Sequence, residues 1–185
     1  RPRRRLPWKW IGLAGVAGLD VGQLGDVERA ERLTLEAERL KSAFNRRFWM
    51  EDEGYFAMAL DGRKRQVRTV CSTVGHALWS RIVADEYVPA VVRRLMASDM
   101  CSGWGIRTLS REARAYNPVS FYNGSVWPFD TALIANGLKK HGYVQESNRL
   151  AWELVEAATA HRYARLPEMV CGFTRQGTDH PVSFP

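Results

Sequence analysis

The sequence predicts an all-α fold in which long aromatic loops and one short β-hairpin join the helices. Five segments repeat apolar residues at the three- and four-residue spacing of an amphipathic helix. Between them lie stretches rich in glycine, aromatic and amide residues that follow no regular period. Short connections such as 141–143 make successive helices antiparallel neighbours. A plain helical bundle or a helical-repeat scaffold would give a similar pattern, but no repeat period is visible.

The elements follow one another along the chain. Apolar residues at helical spacing predict helices over 26–49, 72–85 and 89–97, the last of which begins at a proline. Alternation over 50–62, closed by an Asp-Gly pair, predicts a short β-hairpin. A further helix is predicted over 144–162. We expect the helices to form the structural frame and the loops between them to carry the function.

The most distinctive stretch is 115–141, AYNPVSFYNGSVWPFDTALIANGLKKH. Its first half mixes aromatic residues with Asn, Ser and Gly and contains two prolines, which predicts an ordered loop. Its second half predicts a helix that begins at Pro128, with Asp130 near the positive end of the helix dipole. Aromatic faces stack on sugar rings, while amides and carboxylates bond sugar hydroxyls. On composition alone the stretch favours a buried aromatic turn, with a sugar pocket as the alternative.

Several motifs resemble those of one enzyme family and occur in the same order. NGSVWPFD at 123–130 is very similar to the NGSVWPHD signature of bacterial glycogen-debranching-enzyme-like proteins of the amylo-α-1,6-glucosidase type. GHALWS (75–80), DMCSGWGIRTLS (99–110) and LPEMVCGF (166–173) resemble further segments of that family. The resemblance covers roughly residues 20–185. It implies a partial α/α barrel, a six-hairpin toroid of paired helices, that acts on α-glucosidic linkages of an oligo- or polysaccharide.

Glycoside hydrolysis generally uses two carboxylates, which an inverting enzyme holds about 6.5–9.5 Å apart to admit a water molecule. The resemblance places the catalytic general base at Glu168, and it implies an inverting mechanism. The preceding Pro167 restricts the backbone there, which suits a carboxylate of fixed position. The alternative is a glutamate that caps or salt-bridges the helix junction. The family's general acid is an aspartate that lies upstream of everything in this sequence.

Six further residues are predicted to bind the substrate. In SGWGIRTLS the indole of Trp104 is suited to stacking on a sugar ring. The guanidinium of Arg107 donates hydrogen bonds either to sugar hydroxyls or to carbonyl groups of the loop. His76 is a second choice, because a lone helical histidine is more often a packed residue. Phe129 and Phe121-Tyr122 replace a His and a Tyr-His pair of the family, which leaves the sugar specificity open. The predicted set is Trp104, Arg107, Tyr122, Asn123, Trp127 and Asp130.

Composition and charge argue against several classes of protein. Hydrophobic residues make up 45% of the chain, but no apolar run approaches the roughly 20 residues that span a bilayer. The net charge of +7 comes mostly from the first nine residues, so nucleic-acid binding is not predicted. The three scattered cysteines suit reduced thiols in the cytoplasm. Neither they nor the four histidines show metal-ligand spacing, and no metal or cofactor is predicted. The oligomeric state is not indicated.

The two ends of the sequence predict part of a longer enzyme. Residues 1–19 form a poorly specified leader or a fragment edge, with a targeting segment as the alternative because a basic start precedes an apolar run. Residues 20–185 form the C-terminal part of the barrel domain, short of the family's closing helix. Without the upstream acid this segment is expected to be inactive alone. The rival function is a non-catalytic carbohydrate-binding or scaffold protein that has kept the aromatic loops.

Overall fold

The computed structural model describes residues 25–184. Within them the predicted helical class with a small β component is confirmed in outline, while the predicted leader over 1–19 lies outside the described residues. Two 3-10 turns follow the last helix, at Arg162–Ala164 and Arg175–Gly177. The other elements are α1 Val27–Phe48, β1 Trp49–Met50, β2 Tyr55–Phe56, β3 Ala59–Leu60, β4 Gln66–Val67, α2 Thr73–Trp79, α3 Val88–Leu95, α4 Pro128–Lys140 and α5 Val144–Thr159.

Helix α1 begins and ends close to the predicted residues because its termini are chemically marked. Asp26 precedes the helix, and its carboxylate accepts a hydrogen bond from Arg29 N at 3.1 Å. Arg46 and Arg47 occupy the last turn, where positive charge complements the helix dipole. Trp49 then takes an extended conformation, with φ −64° and ψ 129°, and begins the first strand.

Most of the apolar stripe of α1 is not covered by the part of the chain that the structure describes. Asn45 is the one residue of this helix that is buried. Its amide donates to Ile82 O at 2.7 Å and its side-chain oxygen accepts from Ala84 N at 2.9 Å. These bonds hold the C-terminal end of α1 against the core. The exposed apolar side chains of the helix include Val27, Leu35 and Leu40.

The short strands form two separate antiparallel pairs. Trp49 lies opposite Phe56 in β1–β2, and Ala59 lies opposite Val67 in β3–β4. The prediction of a single hairpin over 50–62 was therefore incomplete, since the second pair reaches five residues further. The second turn is stabilised by Asp61, whose carboxylate accepts backbone N–H bonds two and four residues ahead. A turn of this kind depends on side-chain hydrogen bonds rather than on the hydrophobic period.

Helices α2 and α4 approach each other closely through two glycines. A Cβ added to Gly75 would overlap the Ile134 side chain. A Cβ added to Gly137 would lie 2.7 Å from Trp79 N, which is a backbone atom and cannot move aside cheaply. Any side chain at either position would force the helices apart and open the core between them.

Helix α2 is shorter than the predicted span of 72–85. It ends at Trp79, and Arg81 takes a positive φ of 58°. The end of α4 supplies partners for its last carbonyl groups: Lys140 Nζ donates to Trp79 O, and the His141 ring lies 3.1 Å from Leu78 O. These tertiary contacts satisfy the helix end, and they explain why apolar spacing alone predicted a longer helix.

The apolar core lies between β2, α2, α3 and α4, and α5 packs on α4 as the second arm of a hairpin. Gly142, with φ 84°, makes the turn between those two helices. Long loops over 96–127 and 160–184 lie on either side of this hairpin in sequence. Across residues 25–184 no helix is both long enough and apolar enough to cross a bilayer.

Candidate active site

A ladder of single β-bridges joins the two long loops. Val126 pairs with Arg107 on one side and with Val170 on the other, and Val170 pairs in turn with Ser183. Val126 and Val170 exchange both backbone hydrogen bonds, each at 2.9 Å. Glu168 lies two residues before Val170, so its Cα lies within about 7 Å of this bridge. The ladder therefore brings the candidate base beside the aromatic loop.

Two glycines let the loops touch. A Cβ on Gly172 would overlap the carbonyl oxygen of Gly124, and Gly124 itself has a φ of 147°, which only glycine adopts readily. Gly172 O accepts hydrogen bonds from the Tyr116 hydroxyl at 2.9 Å and from Arg107 Nε at 2.7 Å. Gly124 of the NGSVWPFD motif and Gly172 of the LPEMVCGF motif therefore meet in one close backbone contact.

Arg107 is fully buried at the centre of these loops. Beyond its bond to Gly172, Nη1 donates to the carbonyls of Ser98 and Asp99 at 3.1 and 3.2 Å. Nη2 donates to Thr174 Oγ1 at 2.9 Å. Burial lowers the pKa of Arg107 from its ordinary value, but each of the three guanidinium nitrogens keeps at least one hydrogen-bond acceptor. Every described bond goes to the protein, which fits the loop-tying alternative; contact with sugar stays a prediction.

Trp104 lies in the same loop and is also buried. Its indole N–H donates to Thr178 Oγ1 at 3.4 Å. The Arg175 guanidinium lies 4.6 Å from the ring centroid and caps one face. The ring therefore packs between the loops in this structure, and the predicted stacking of Trp104 on a sugar remains untested.

The aromatic loop presents the other predicted binding residues at the surface. Tyr122 is 66% exposed, and Asn123 is exposed beside it. Trp127 is half-buried, and its indole N–H donates to Phe121 O and to Ser125 Oγ, both at 3.1 Å. Trp127 thus offers a ring face rather than an N–H group to a ligand. Their contact with sugar stays a prediction.

Asp130 occupies the first turn of α4, as predicted, and it is buried. Its Oδ1 is hydrogen-bonded to His76 Nε2, which sequence reasoning named only as a second choice. Its Oδ2 is buried without a hydrogen-bond partner among the described residues. A buried carboxylate oxygen without a donor is rare, and such atoms often mark a site for water or a ligand hydroxyl. Binding of sugar by Asp130 stays a prediction.

Glu168 is exposed, and the described residues give its carboxylate no hydrogen bond. It follows Pro167 and precedes the buried segment 169–172 that the ladder holds in place. The backbone on both sides is therefore restrained while the side chain remains free to meet water. This arrangement suits a base that activates a water molecule, and the role of Glu168 as that base stays a prediction.

Asp99 anchors the same loop to α3, and sequence reasoning missed this role. Arg94 grips its carboxylate with two bonds of 2.6 and 2.8 Å, and the Ser110 hydroxyl donates to Oδ2. Burial opposes the charge, but these three donors outweigh it and hold the pKa of Asp99 below its ordinary value. The spacing of Arg94 and Asp99 falls across a helix end, where the usual side-chain pair rules do not apply.

This ion pair predicts a pH dependence of stability. Because the pKa of Asp99 is lower in the folded than in the unfolded protein, its contribution is present above about pH 4 and is lost as the pH falls further. We expect Asp99→Asn to lower the free energy of unfolding by about 1.5–3 kcal/mol at pH 7 and less at pH 3. Urea unfolding between pH 3 and 7 measures this. Asp85→Asn, at an exposed position, is the control. A free energy of unfolding that changes equally with pH in wild type and in Asp99→Asn would contradict the prediction.

The three cysteines are buried and unpaired: Cys71, Cys101 and Cys171. Burial, with the nearby Glu153 carboxylate, raises the pKa of the Cys101 thiol to about 11. The thiol is therefore protonated at neutral pH. Over residues 25–184 no group of three His, Cys, Asp or Glu side chains is placed to hold a metal ion.

Solved structures of larger proteins share this fold. One named "Sialidase" has a TM-score of 0.76 at 15% identity, covering 90% of this chain and 16% of that chain. The neutral trehalase of Saccharomyces cerevisiae has a TM-score of 0.72 at 16% identity, covering 87% and 32%. The GH63 mannosylglycerate hydrolase of Thermus thermophilus in complex with Tris has a TM-score of 0.68 at 12% identity, covering 89% and 40%. The chain thus spans less than half the length of these proteins.

At these identities the likeness shows the fold alone. The trehalase and the mannosylglycerate hydrolase are α/α-barrel proteins, with which the predicted helical class and small hairpin are compatible, and the partial six-hairpin barrel stays a prediction. No curated protein matches the sequence. The family model described as "Mannosylglycerate hydrolase MGH1-like glycoside hydrolase domain" matches residues 13–180. The predicted relationship to glycoside hydrolases is therefore confirmed, whereas the debranching-enzyme type is not shown. The chain belongs to the mannosylglycerate hydrolase MGH1-like glycoside hydrolase family.

Proposed function

We propose that this chain forms the C-terminal part of an inverting glycoside hydrolase that acts on α-glucosidic linkages. The pairing of Val126 with Val170 carries the proposal, since it holds Glu168 beside the aromatic loop. Glu168 would take a proton from a water molecule as that water attacks the anomeric carbon. An aspartate outside residues 25–184 would protonate the leaving oxygen from the opposite side of the sugar.

The remaining predicted residues would hold the sugar in this scheme. Asp130 has a buried oxygen that lacks a donor, and a sugar hydroxyl would supply one. Tyr122 and Trp127 offer ring faces, and Asn123 offers an exposed amide. Arg107 would contribute by fixing the loops that carry these groups.

The α-glucoside specificity rests on the resemblance to debranching enzymes, whereas the family's name points to mannosylglycerate. The two are separable by assaying the full-length protein on maltose, isomaltose, branched glucan, trehalose and mannosylglycerate. We expect glucose release from the α-glucosides, with β-glucose appearing first in proton NMR spectra because inversion converts the α-anomer. Hydrolysis of mannosylglycerate alone would refute the α-glucoside proposal. Binding of glycans without hydrolysis would favour the rival function as a carbohydrate-binding protein.

A further inference from the structure

The sequence contains two Asn-Gly steps, at Asn123 in the aromatic loop and at Asn136 in α4. Both asparagines are exposed. An asparagine deamidates when the backbone nitrogen of the next residue attacks the carbon of its side-chain amide. Glycine is the most permissive residue at the second position, since no Cβ crowds the attacking nitrogen. That nitrogen must first leave its own hydrogen bond and turn toward the side chain, so the fold decides which of the two steps reacts.

Helix α4 holds the Asn136 step closed. The helical backbone commits the Gly137 N–H to a carbonyl one turn earlier and keeps it turned away from the Asn136 side chain. Gly137 is buried, and a Cβ added there would lie 2.7 Å from Trp79 N of α2. Helix α5 packs on α4 as well. The nitrogen is therefore released only when α4 unwinds and the core between these helices opens.

The Asn123 step is held by three hydrogen bonds within the loop. Gly124 N donates to Thr108 Oγ1 at 2.9 Å. Asn123 N donates to Ser120 Oγ at 3.3 Å, and Asn123 O accepts from Asn117 N at 2.7 Å. Two of the three partners are side-chain hydroxyls, and none of the three residues belongs to a helix. Breaking these bonds frees the attacking nitrogen without unwinding a helix, and such a local opening costs far less free energy than global unfolding.

We infer that Asn123 is a deamidation site of this protein, that its hydrogen bond to the Thr108 hydroxyl through Gly124 N gates the reaction, and that the fold protects Asn136. The Gly124 nitrogen gives up its proton and bonds to Cγ of Asn123, the Cγ–N bond of the amide breaks, and ammonia leaves. Water then opens the resulting succinimide ring to aspartate or to isoaspartate. The reaction thus consumes water, releases ammonia and needs no other reactant. Because it is chemistry of the backbone, the inference goes beyond the proposed function and does not depend on it.

The isoaspartate product would disturb the contact between the two long loops. Isoaspartate routes the main chain through the side chain and so adds a methylene directly before Gly124. A Cβ on Gly172 would already overlap the carbonyl oxygen of Gly124, so this contact has no room for a lengthened chain. Aspartate keeps the length of the backbone and adds one negative charge at an exposed position. Ageing of the protein is therefore expected to loosen the loops through isoaspartate rather than through aspartate.

The test follows both asparagines in one molecule of the full-length protein. Trypsin cleaves after Arg114 and Lys139, so both asparagines lie on the peptide 115–139. The fragment ions of this peptide assign the exchange of NH2 for OH to one asparagine or the other. During incubation at mildly alkaline pH, we expect Asn123 to convert at least about tenfold faster than Asn136. In the free peptide, which is the unfolded reference, the two rates should agree within about threefold because glycine follows both. Conversion of Asn136 in the folded protein as fast as Asn123, or faster, would overturn the inference.

Two variants at Thr108 test the gate. Thr108→Val removes the acceptor of the Gly124 N–H at nearly constant side-chain size. It should speed the conversion of Asn123 by roughly 3- to 10-fold and leave the rate at Asn136 unchanged. Thr108→Ser keeps the hydroxyl and is the matched control, with a rate at Asn123 within about twofold of wild type. A Thr108→Val protein in which Asn123 converts at the wild-type rate would contradict the gating role.

Urea below the unfolding midpoint gives a measurement that needs no substitution. The rate at Asn136 should rise with urea concentration in step with global unfolding. The rate at Asn123 should change little, because a local opening exposes little surface. Parallel increases at both residues would show that Asn123 also reacts only through global unfolding, and they would overturn the inference.

Discussion

Replacing Glu168 with glutamine in the full-length protein is expected to lower kcat by about 10²–10⁴-fold, with KM for maltotriose changed little. Glutamine keeps the size of the side chain but cannot take a proton from the attacking water. The loss should fall on kcat because the base acts in the transition state, whereas Tyr122, Trp127 and Asp130 are proposed to bind the substrate in the ground state. Steady-state hydrolysis of maltotriose by both proteins measures it.

Glu112→Gln is the control for this experiment, because Glu112 is another exposed glutamate in the same loop system. Its kcat should stay within about twofold of wild type. Both variants should unfold at the wild-type temperature, because Glu168 has no described hydrogen bond to lose. A Glu168→Gln enzyme with wild-type kcat would remove this residue from the mechanism. An equal loss in both variants would point to disturbance of the loops instead.

Arg107→Ala is expected to reduce the free energy of unfolding by roughly 3–5 kcal/mol. The substitution removes a fully buried side chain and leaves the carbonyls of Ser98, Asp99 and Gly172 without this donor. For a chain of 185 residues that loss lowers Tm by about 6–20 °C, which thermal unfolding followed by circular dichroism detects. Arg111→Ala is the neighbouring control, with an expected change below about 0.5 kcal/mol, because Arg111 is exposed and its contact with Thr174 is long, at 3.4 Å.

Arg107→Lys separates the two interpretations of this residue. A single ammonium group cannot reach acceptors on both sides of the guanidinium, so a loop-tying role predicts a lowered Tm together with lowered activity. A role in sugar binding predicts a raised KM at nearly wild-type Tm. If Arg107→Ala unfolds like wild type, the structural role assigned to the buried guanidinium is wrong.

Most of the helices could be predicted from the sequence, because the spacing of apolar residues and the capping residues are signals that act over only a few residues. Asp26, Arg46 and Arg47 mark the ends of α1, and Pro128 marks the start of α4. The end of α2 could not be predicted, since it depends on the hydrogen bond that Lys140, about sixty residues away, donates to Trp79 O. A signal of that kind exists only once two helices have packed.

The residue types of the candidate site could be predicted from the sequence, but their arrangement in space could not. The aromatic loop, Asp130 and Glu168 were named from motifs. A backbone pairing between distant segments then places the Cα of Glu168 within about 7 Å of the bridge at Val126. No short-range sequence signal predicts that Val126 pairs with Val170, or that Gly124 and Gly172 must be in contact. For Arg107 the sequence left two roles open, sugar binding and hydrogen bonding within the loops. Burial favours the second role, and it is determined by how the surrounding loops pack.

The bridge between Val126 and Val170 has a consequence for synthesis on the ribosome. The two residues are 44 positions apart, so at about 5–20 residues per second the second strand is translated roughly 2–9 s after the first. During that interval the α2–α4 contact can already form, while the aromatic loop lacks its partner and leaves apolar rings open to chaperones. The pairing of the aromatic loop is thus completed only once the segment around Val170 emerges, after helices α2 and α4 have been translated.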